Sequence, residues 1–243
     1  MHNDPYIIAL VYKKLVHTQL MIQSLVASGI QRLDFMFAET PELTQAMLEE
    51  MAQPLHSYRI FACLGNRTSQ CHAYRSAFIH MLAHEIEHET EWYVLVEDDI
   101  IFNPGWLDKC IEAYHLAQND DYKVGVVSPL HWEFGWYGIK AHAENYTVKD
   151  WFTTHCLVLH RDVLLHGVDL SRPFWHQVDI GLDKLTGLMF TEKGFVNIST
   201  NPSQAFSLDG GEYAVQSFMP ANEEVHLLCK RLVQIQGKEL EYV

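Results

Sequence analysis

The chain has no apolar run approaching the ~20 residues that would cross a bilayer, and no C-x-x-C pair among its five cysteines, at 63, 71, 110, 156 and 229. An odd cysteine count without paired spacing speaks against a disulfide framework or a zinc knuckle and points to a reducing compartment. The opening Met1-His2-Asn3-Asp4-Pro5 lacks the basic start and apolar centre of a signal peptide, so the expected location is cytoplasmic. Basic clusters are also missing: the 17 Lys and Arg are never more than two adjacent, and the net charge is −14. Non-specific nucleic-acid binding needs concentrated positive charge, and this balance disfavours it. Internal repeats, low-complexity tracts and linkers are absent, so the expectation is a single domain over residues 1–243, with residues 1–105 and 106–243 as its two halves. A hydrophobic content of 48% with 20% charged residues is enough to bury a sizeable core.

What the chain does have is an apolar run that ends in three acids, Trp92-Tyr93-Val94-Leu95-Val96-Glu97-Asp98-Asp99. Aromatic and β-branched residues favour a strand, and the near-continuous apolar character implies cover on both faces. Three adjacent carboxylates at the end of a buried strand carry a desolvation cost. It is relieved either by opening into solvent or by holding a cation. In open α/β sheets ligands gather beyond the carboxyl ends of the strands, where these acids lie.

Around this strand the chain alternates strand and helix patterns. Residues 6–11 read as a strand, 17–28 as a helix, 33–38 as a strand and 58–64 as another. A second helix is expected to start from Thr40 as cap with Pro41 in its first position and to end before Pro54. A long helix over residues 70–88 leads into the acidic strand. The order implies an α/β fold with a mostly parallel, Rossmann-like sheet flanked by helices. Further on, residues 106–118 read as a helix, 123–129 and 151–159 as strands, 161–165 as a short helix, 195–198 as a last strand and 222–234 as an amphipathic helix. Residues 131–150 show no regular pattern, and a loop that long and that aromatic is expected to be functional.

Three segments carry a family resemblance. Glu97-Asp98-Asp99 followed by Phe102-x-Pro104-Gly105-Trp106 resembles the acidic motif of GT-A glycosyltransferases, close to the E-D-D form of N-acetylglucosaminyltransferase I. Asn66 with Ala73-Tyr74-Arg75-Ser76-Ala77 resembles the Asn…Ala-Arg-Asn segment of family 2 transferases, with Tyr74 interrupting the Ala-Arg pair. Val178-Asp179-Ile180-Gly181-Leu182 with Lys193-Gly194-Phe195 resembles their Glu-Asp…Gly-Phe segment, with Val178 in place of Glu.

The resemblance implies a GT-A fold and transfer of a sugar from a nucleoside-diphosphate sugar, expected to be uridine-linked, to a hydroxyl acceptor. The acceptor class stays open among glycan, lipid-linked saccharide, protein and modified nucleobase. It also implies Mn²⁺ or Mg²⁺, for which carboxylate oxygens are the fitting donors. Asp99 would be the direct ligand, and Asp98 would touch a metal-bound water or the ribose, with Glu97 behind. Tyr12 and Glu39 would line the base site and Asn66 the donor site. Arg75 would pair with Asp98 or a phosphate, or form an ordinary helix salt bridge. Asp179, with Asp183 one helical turn on, would be the general base, or Asp179 would simply cap its helix. Trp132, Trp136 and Tyr137 would stack on a sugar, close as a lid, or anchor their loop. His226 is a candidate third metal ligand.

Two other classes compete. His84-Glu85-Ile86-Glu87-His88 satisfies H-E-x-x-H, which on a helix can hold zinc for a hydrolase. With 15 histidines in the chain, the row His80, His84, His88 reads instead as a solvated helix face. A non-catalytic nucleotide-sugar-binding protein would carry the same donor residues without turnover.

Overall fold

The computed structural model describes residues 4–63, 70–131, 138–152, 154–176 and 181–208. The first half consists of β1 (Tyr6–Tyr12), α1 (Leu15–Ala27), β2 (Arg32–Ala38), α2 (Gln45–Ala52), β3 (Ser57–Ala62), α3 (Gln70–His88), β4 (Trp92–Glu97) and the short β5 (Ile100–Phe102). The second half adds α4 (Trp106–Asn119), β6 (Val124–Ser128), β7 (Ile139–His142), β8 (Tyr146–Lys149) and β9 (Cys156–His160). It continues with α5 (Arg161–Gly167), a 3₁₀ turn (Pro173–His176), α6 (Leu182–Thr191), β10 (Val196–Thr200) and β11 (Ala205–Ser207).

Nine strands form one sheet in the order β3-β2-β1-β4-β9-β6-β10-β8-β7. The expected parallel block is present, with β1 central between β2 and β4. Period-2 alternation divides the strands between two cores, as full cover requires. Ile7, Ala9, Val11, Trp92, Val94 and Val96 face Met21 and Leu25 of α1 and Tyr114 of α4. Tyr6, Ile8, Leu10, Tyr93 and Leu95 face Tyr74, Phe78 and Met81 of α3 and Phe190 of α6. Among the described residues no helix is long and apolar enough to cross a membrane.

Several boundaries differ from expectation. The second helix does not start at Thr40 and Pro41. Thr40 and Leu43 pair in a tight bridge, and α2 begins at Gln45 behind Thr44, whose hydroxyl accepts from the Met47 N–H at 3.4 Å. Burial of Leu43 in the core holds this segment back and passes the cap to the next threonine. The strand expected from Trp151 starts only at Cys156, and it enters antiparallel between β4 and β6. Residues 131–150 are not irregular throughout, because β7 and β8 form a hairpin on the sheet edge beside β10. Strand β11, which had no sequence signal, pairs antiparallel with β5 and brings the Leu208 N–H to the Asp99 carbonyl at 2.7 Å.

Candidate donor and metal site

Strands β1 to β4 run parallel, so their carboxyl ends open on one edge of the sheet. A cleft of about 620 Å³ lies there, lined by Tyr12, Glu39, Pro41, Gln45 and Cys63 among others. A second hollow of about 320 Å³ adjoins it through Tyr12, Ala38 and Cys63 and ends on Glu97, Asp98, Asp99 and Lys14. Tyr12 is half exposed at this junction. Glu39 lies on the rim of the larger cleft, where its carboxylate accepts from the Gln45 N–H at 3.2 Å.

The three acids take three directions. Glu97 turns toward α3 and accepts from the Tyr74 hydroxyl at 2.9 Å and the Gln70 amide at 2.5 Å. Burial pushes its carboxyl pKa up. The buried Asp98 turns toward β1 and accepts from the Tyr12 N–H at 2.8 Å. It locks the ends of β1 and β4 together, and desolvation raises its carboxyl to about 7. Asp99, also buried, meets Lys14 Nζ at 3.0 Å and His155 Nε2 at 3.9 Å, both through Oδ2. Its Oδ1 is buried and has no hydrogen-bond partner.

The groups that converge are Glu97, Asp99 and His155, whose ligand atoms all lie within 4.8 Å of one another. Two carboxylate oxygens and an imidazole nitrogen suit a divalent first-row ion such as Mn²⁺. The orphaned Asp99 oxygen is what such a site leaves over when only protein atoms are counted. Asp98 is not a member of this converging set. His155 has no motif around it in the sequence. It arrives because β9 runs antiparallel to β4, with Val96 opposite Cys156 and the Glu97 N–H donating to the His155 carbonyl at 2.8 Å.

Arg75 lies on α3, but its guanidinium reaches the Leu170 carbonyl at 3.5 Å. Asp183 sits in the first turn of α6. Its charge adds to burial and Glu97 in raising the Tyr74 hydroxyl pKa. Asn66, Trp132, Trp136, Tyr137, Asp179 and His226 lie outside the described residues.

The H-E-x-x-H segment does not assemble a zinc site among the described residues. Glu85 is buried, accepts from the Tyr93 hydroxyl and pairs with Arg161. His84 stacks on Tyr6 at 3.8 Å and shares a hydrogen bond with Thr90 at 3.0 Å. His80 stacks on Phe61 at 4.1 Å. The expected solvated row is thus corrected: His80 and His84 pack on the aromatic face of the sheet, which lowers their pKa values by burial, and only His88 is exposed.

No family model and no curated protein matches the sequence. Solved structures do match. The structure of GalNAc-T7 with UDP, GalNAc and Mn²⁺ aligns with a TM-score of 0.56 at 9% identity over 98% of this chain, and this chain spans 48% of that one. The inositol-1-phosphate CTP transferase from T. maritima aligns at 0.52 with 15% identity, over 96% of this chain and 98% of that one. UDP-glucose pyrophosphorylase complexed with UDP-glucose aligns at 0.50 with 8% identity, over 95% of this chain and all of that one (100%). The chain therefore has the α/β fold shared by GT-A glycosyltransferases and nucleotidyltransferases.

Proposed function

We propose that this protein is a metal-dependent glycosyltransferase that moves a sugar from a nucleoside-diphosphate sugar, most simply a UDP-sugar, to a hydroxyl acceptor. The observation that carries the reading is the convergence of Glu97, Asp99 and His155 at the inner end of a cleft over the parallel strand ends. Nucleotide ligands of open α/β sheets collect at such an edge. These three residues would hold a divalent cation, which would supply Lewis-acid stabilisation to the departing diphosphate. Tyr12 and Glu39 bound the space for the base and ribose. Asp98, tied to Tyr12, fixes the spacing between the base cleft and the acids. Asp183, on the first turn of α6, and Asp179 just before it are the candidates to take the acceptor hydroxyl proton as that oxygen attacks the anomeric carbon. Trp132, Trp136 and Tyr137 are proposed to cover or stack on a sugar, and Asn66 to bound the donor site.

A second reading, nucleotidyl transfer to a sugar or polyol phosphate, is favoured by one observation. The CTP transferase and the pyrophosphorylase match this chain over nearly their whole lengths, whereas the glycosyltransferase match covers half of its counterpart. The same cleft would then hold a nucleoside triphosphate, and pyrophosphate would leave.

The two readings separate in one assay. The protein is incubated with Mn²⁺ and a panel of UDP-sugars plus acceptors, and in parallel with CTP or UTP plus sugar phosphates. Release of UDP that stops in Asp99→Asn supports glycosyl transfer, and release of pyrophosphate supports nucleotidyl transfer. Tight, Mn²⁺-dependent UDP binding with neither release across the panels would mark a binding protein instead.

A further inference from the structure

Lys14 occupies an unusual position for a lysine. Lys13 adopts φ 65°, a left-handed conformation rare outside glycine, and the Lys14 N–H closes back on the Tyr12 carbonyl at 2.8 Å. This tight turn between β1 and α1 sends Lys14 into the smaller hollow, beside the acids. Its ammonium lies 3.0 Å from Asp99 Oδ2, the same oxygen that faces His155. The Asp99 side chain is 7% exposed and the Lys14 side chain 35%, so the carboxylate is fixed while the lysine stem has room to swing. A buried carboxylate requires a compensating charge, and Lys14 provides one at an oxygen of the proposed metal set.

A monovalent ammonium and a divalent ion cannot both sit against one carboxylate oxygen without strong repulsion. We propose that Lys14 is a tethered stand-in for the metal. It balances Asp99 when no divalent ion is bound, is expelled from Asp99 when the ion loads, and then reaches across the hollow to the donor phosphates. Lys14 is thereby a positioning residue that makes metal and nucleotide binding interdependent. Empty, the site resists the metal. With nucleotide present, the displaced ammonium gains a phosphate partner and the resistance disappears. This rests on the donor-site reading above.

The test uses Mn²⁺ alone and Mn²⁺ with UDP, read by the paramagnetic resonance signal of free Mn²⁺ and by titration calorimetry. Lys14→Met is expected to bind Mn²⁺ alone about tenfold more tightly than wild type and to bind UDP at saturating Mn²⁺ about tenfold more weakly, within the usual range of site–site coupling. Lys14→Arg, which keeps the charge, should restore both directions toward wild type. The unsubstituted protein gives an independent readout by amine labelling and mass spectrometry. Lys14 should become more reactive on adding Mn²⁺ and be protected again on adding UDP, which keeps the proposal testable even if Lys14→Met does not fold. A Lys14→Met protein that takes up Mn²⁺ no more tightly, or labelling that Mn²⁺ does not change, overturns the stand-in role alone. Wild-type protein that binds neither Mn²⁺ nor UDP overturns the donor-site reading and this inference with it.

Discussion

Truncating His155 gives the sharpest test of the site, because the sequence motif and the geometry select different partners for Asp99. The motif pairs Asp99 with Asp98, whereas the side chains that meet are Glu97, Asp99 and His155. The backbone of His155 is held by its carbonyl bond to the Glu97 N–H, and that bond survives His155→Ala. The side chain is 19% exposed, so its removal opens a small space onto the hollow and costs little packing. Loss of groups that merely orient metal ligands lowers affinity by roughly 10- to 100-fold. Removing one of the three proposed ligands should therefore reach at least the upper end, about 100-fold, which is about 2.7 kcal/mol at 1.36 kcal/mol per tenfold. Asp98→Asn behaves differently. The amide oxygen can still accept from the Tyr12 N–H, and no converging ligand is lost, so affinity should stay within about threefold of wild type. Calorimetric titration of Mn²⁺ in the presence of UDP measures both variants. If Asp98→Asn abolishes Mn²⁺ binding while His155→Ala leaves it intact, the three-residue set is wrong and the motif pairing is right.

Other consequences concern the scaffold around the site. The buried Glu85 accepts from the Tyr93 hydroxyl and pairs with the partly exposed Arg161, so Glu85→Ala, which strands the buried hydroxyl, should cost about 1–3 kcal/mol of stability by denaturant unfolding and leave Mn²⁺ affinity unchanged. A hydrolase role for the H-E-x-x-H segment would give the opposite pattern, lost activity in a protein of normal stability. Burial lowers the His131 pKa to about 4, against about 6.5 in an unfolded chain. The unfolded state therefore takes up a proton that the folded state refuses, and this contribution is fully present above pH 6.5 and is lost as pH falls toward 4, amounting to about 3 kcal/mol. His131→Asn, which can keep the bond to Ser199, should flatten the acid limb of a stability–pH curve in that window. On α6 a Cβ at Gly187 would stand 2.9 Å from the Trp151 backbone, so Gly187→Ala should lower stability by about 1–3 kcal/mol in denaturant titrations despite alanine's better helix propensity.

The legible parts of this chain are those whose information is local. Strands β1, β2 and β4 announce themselves because each is buried on both faces, and helix α3 because its bounds are marked by its own sequence. The carboxylates at the end of β4 are three neighbours in one run, so both their charge and their place on the sheet edge can be read before any tertiary contact is known. The missed elements depend on pairing. Strands β7 and β8 are four residues each; β7 carries polar residues because it lies at the sheet edge, and β8, buried with Thr147 and Lys149 in it, is held by its pairing with β10 on one side and β7 on the other. Strand β11 exists only against β5, and Thr40 loses its capping role because Leu43, three residues on, is drawn into the core.

His155 shows the same limit at the site itself. Nothing beside it in the sequence signals metal chemistry, since Thr154 and Cys156 are ordinary entrants to a buried strand. Its position is set by one topological choice, the antiparallel insertion of β9 between two strands that run the other way. A parallel neighbour of β4 would present its amino-terminal end at the far edge and bring no residue preceding it to the acids. Reversing one strand puts the residue just before β9 opposite the last residue of β4, so an imidazole joins the Glu97 and Asp99 carboxylates where they converge. The acids could therefore be found by reading along the chain, and their third partner only by knowing which way its strand runs.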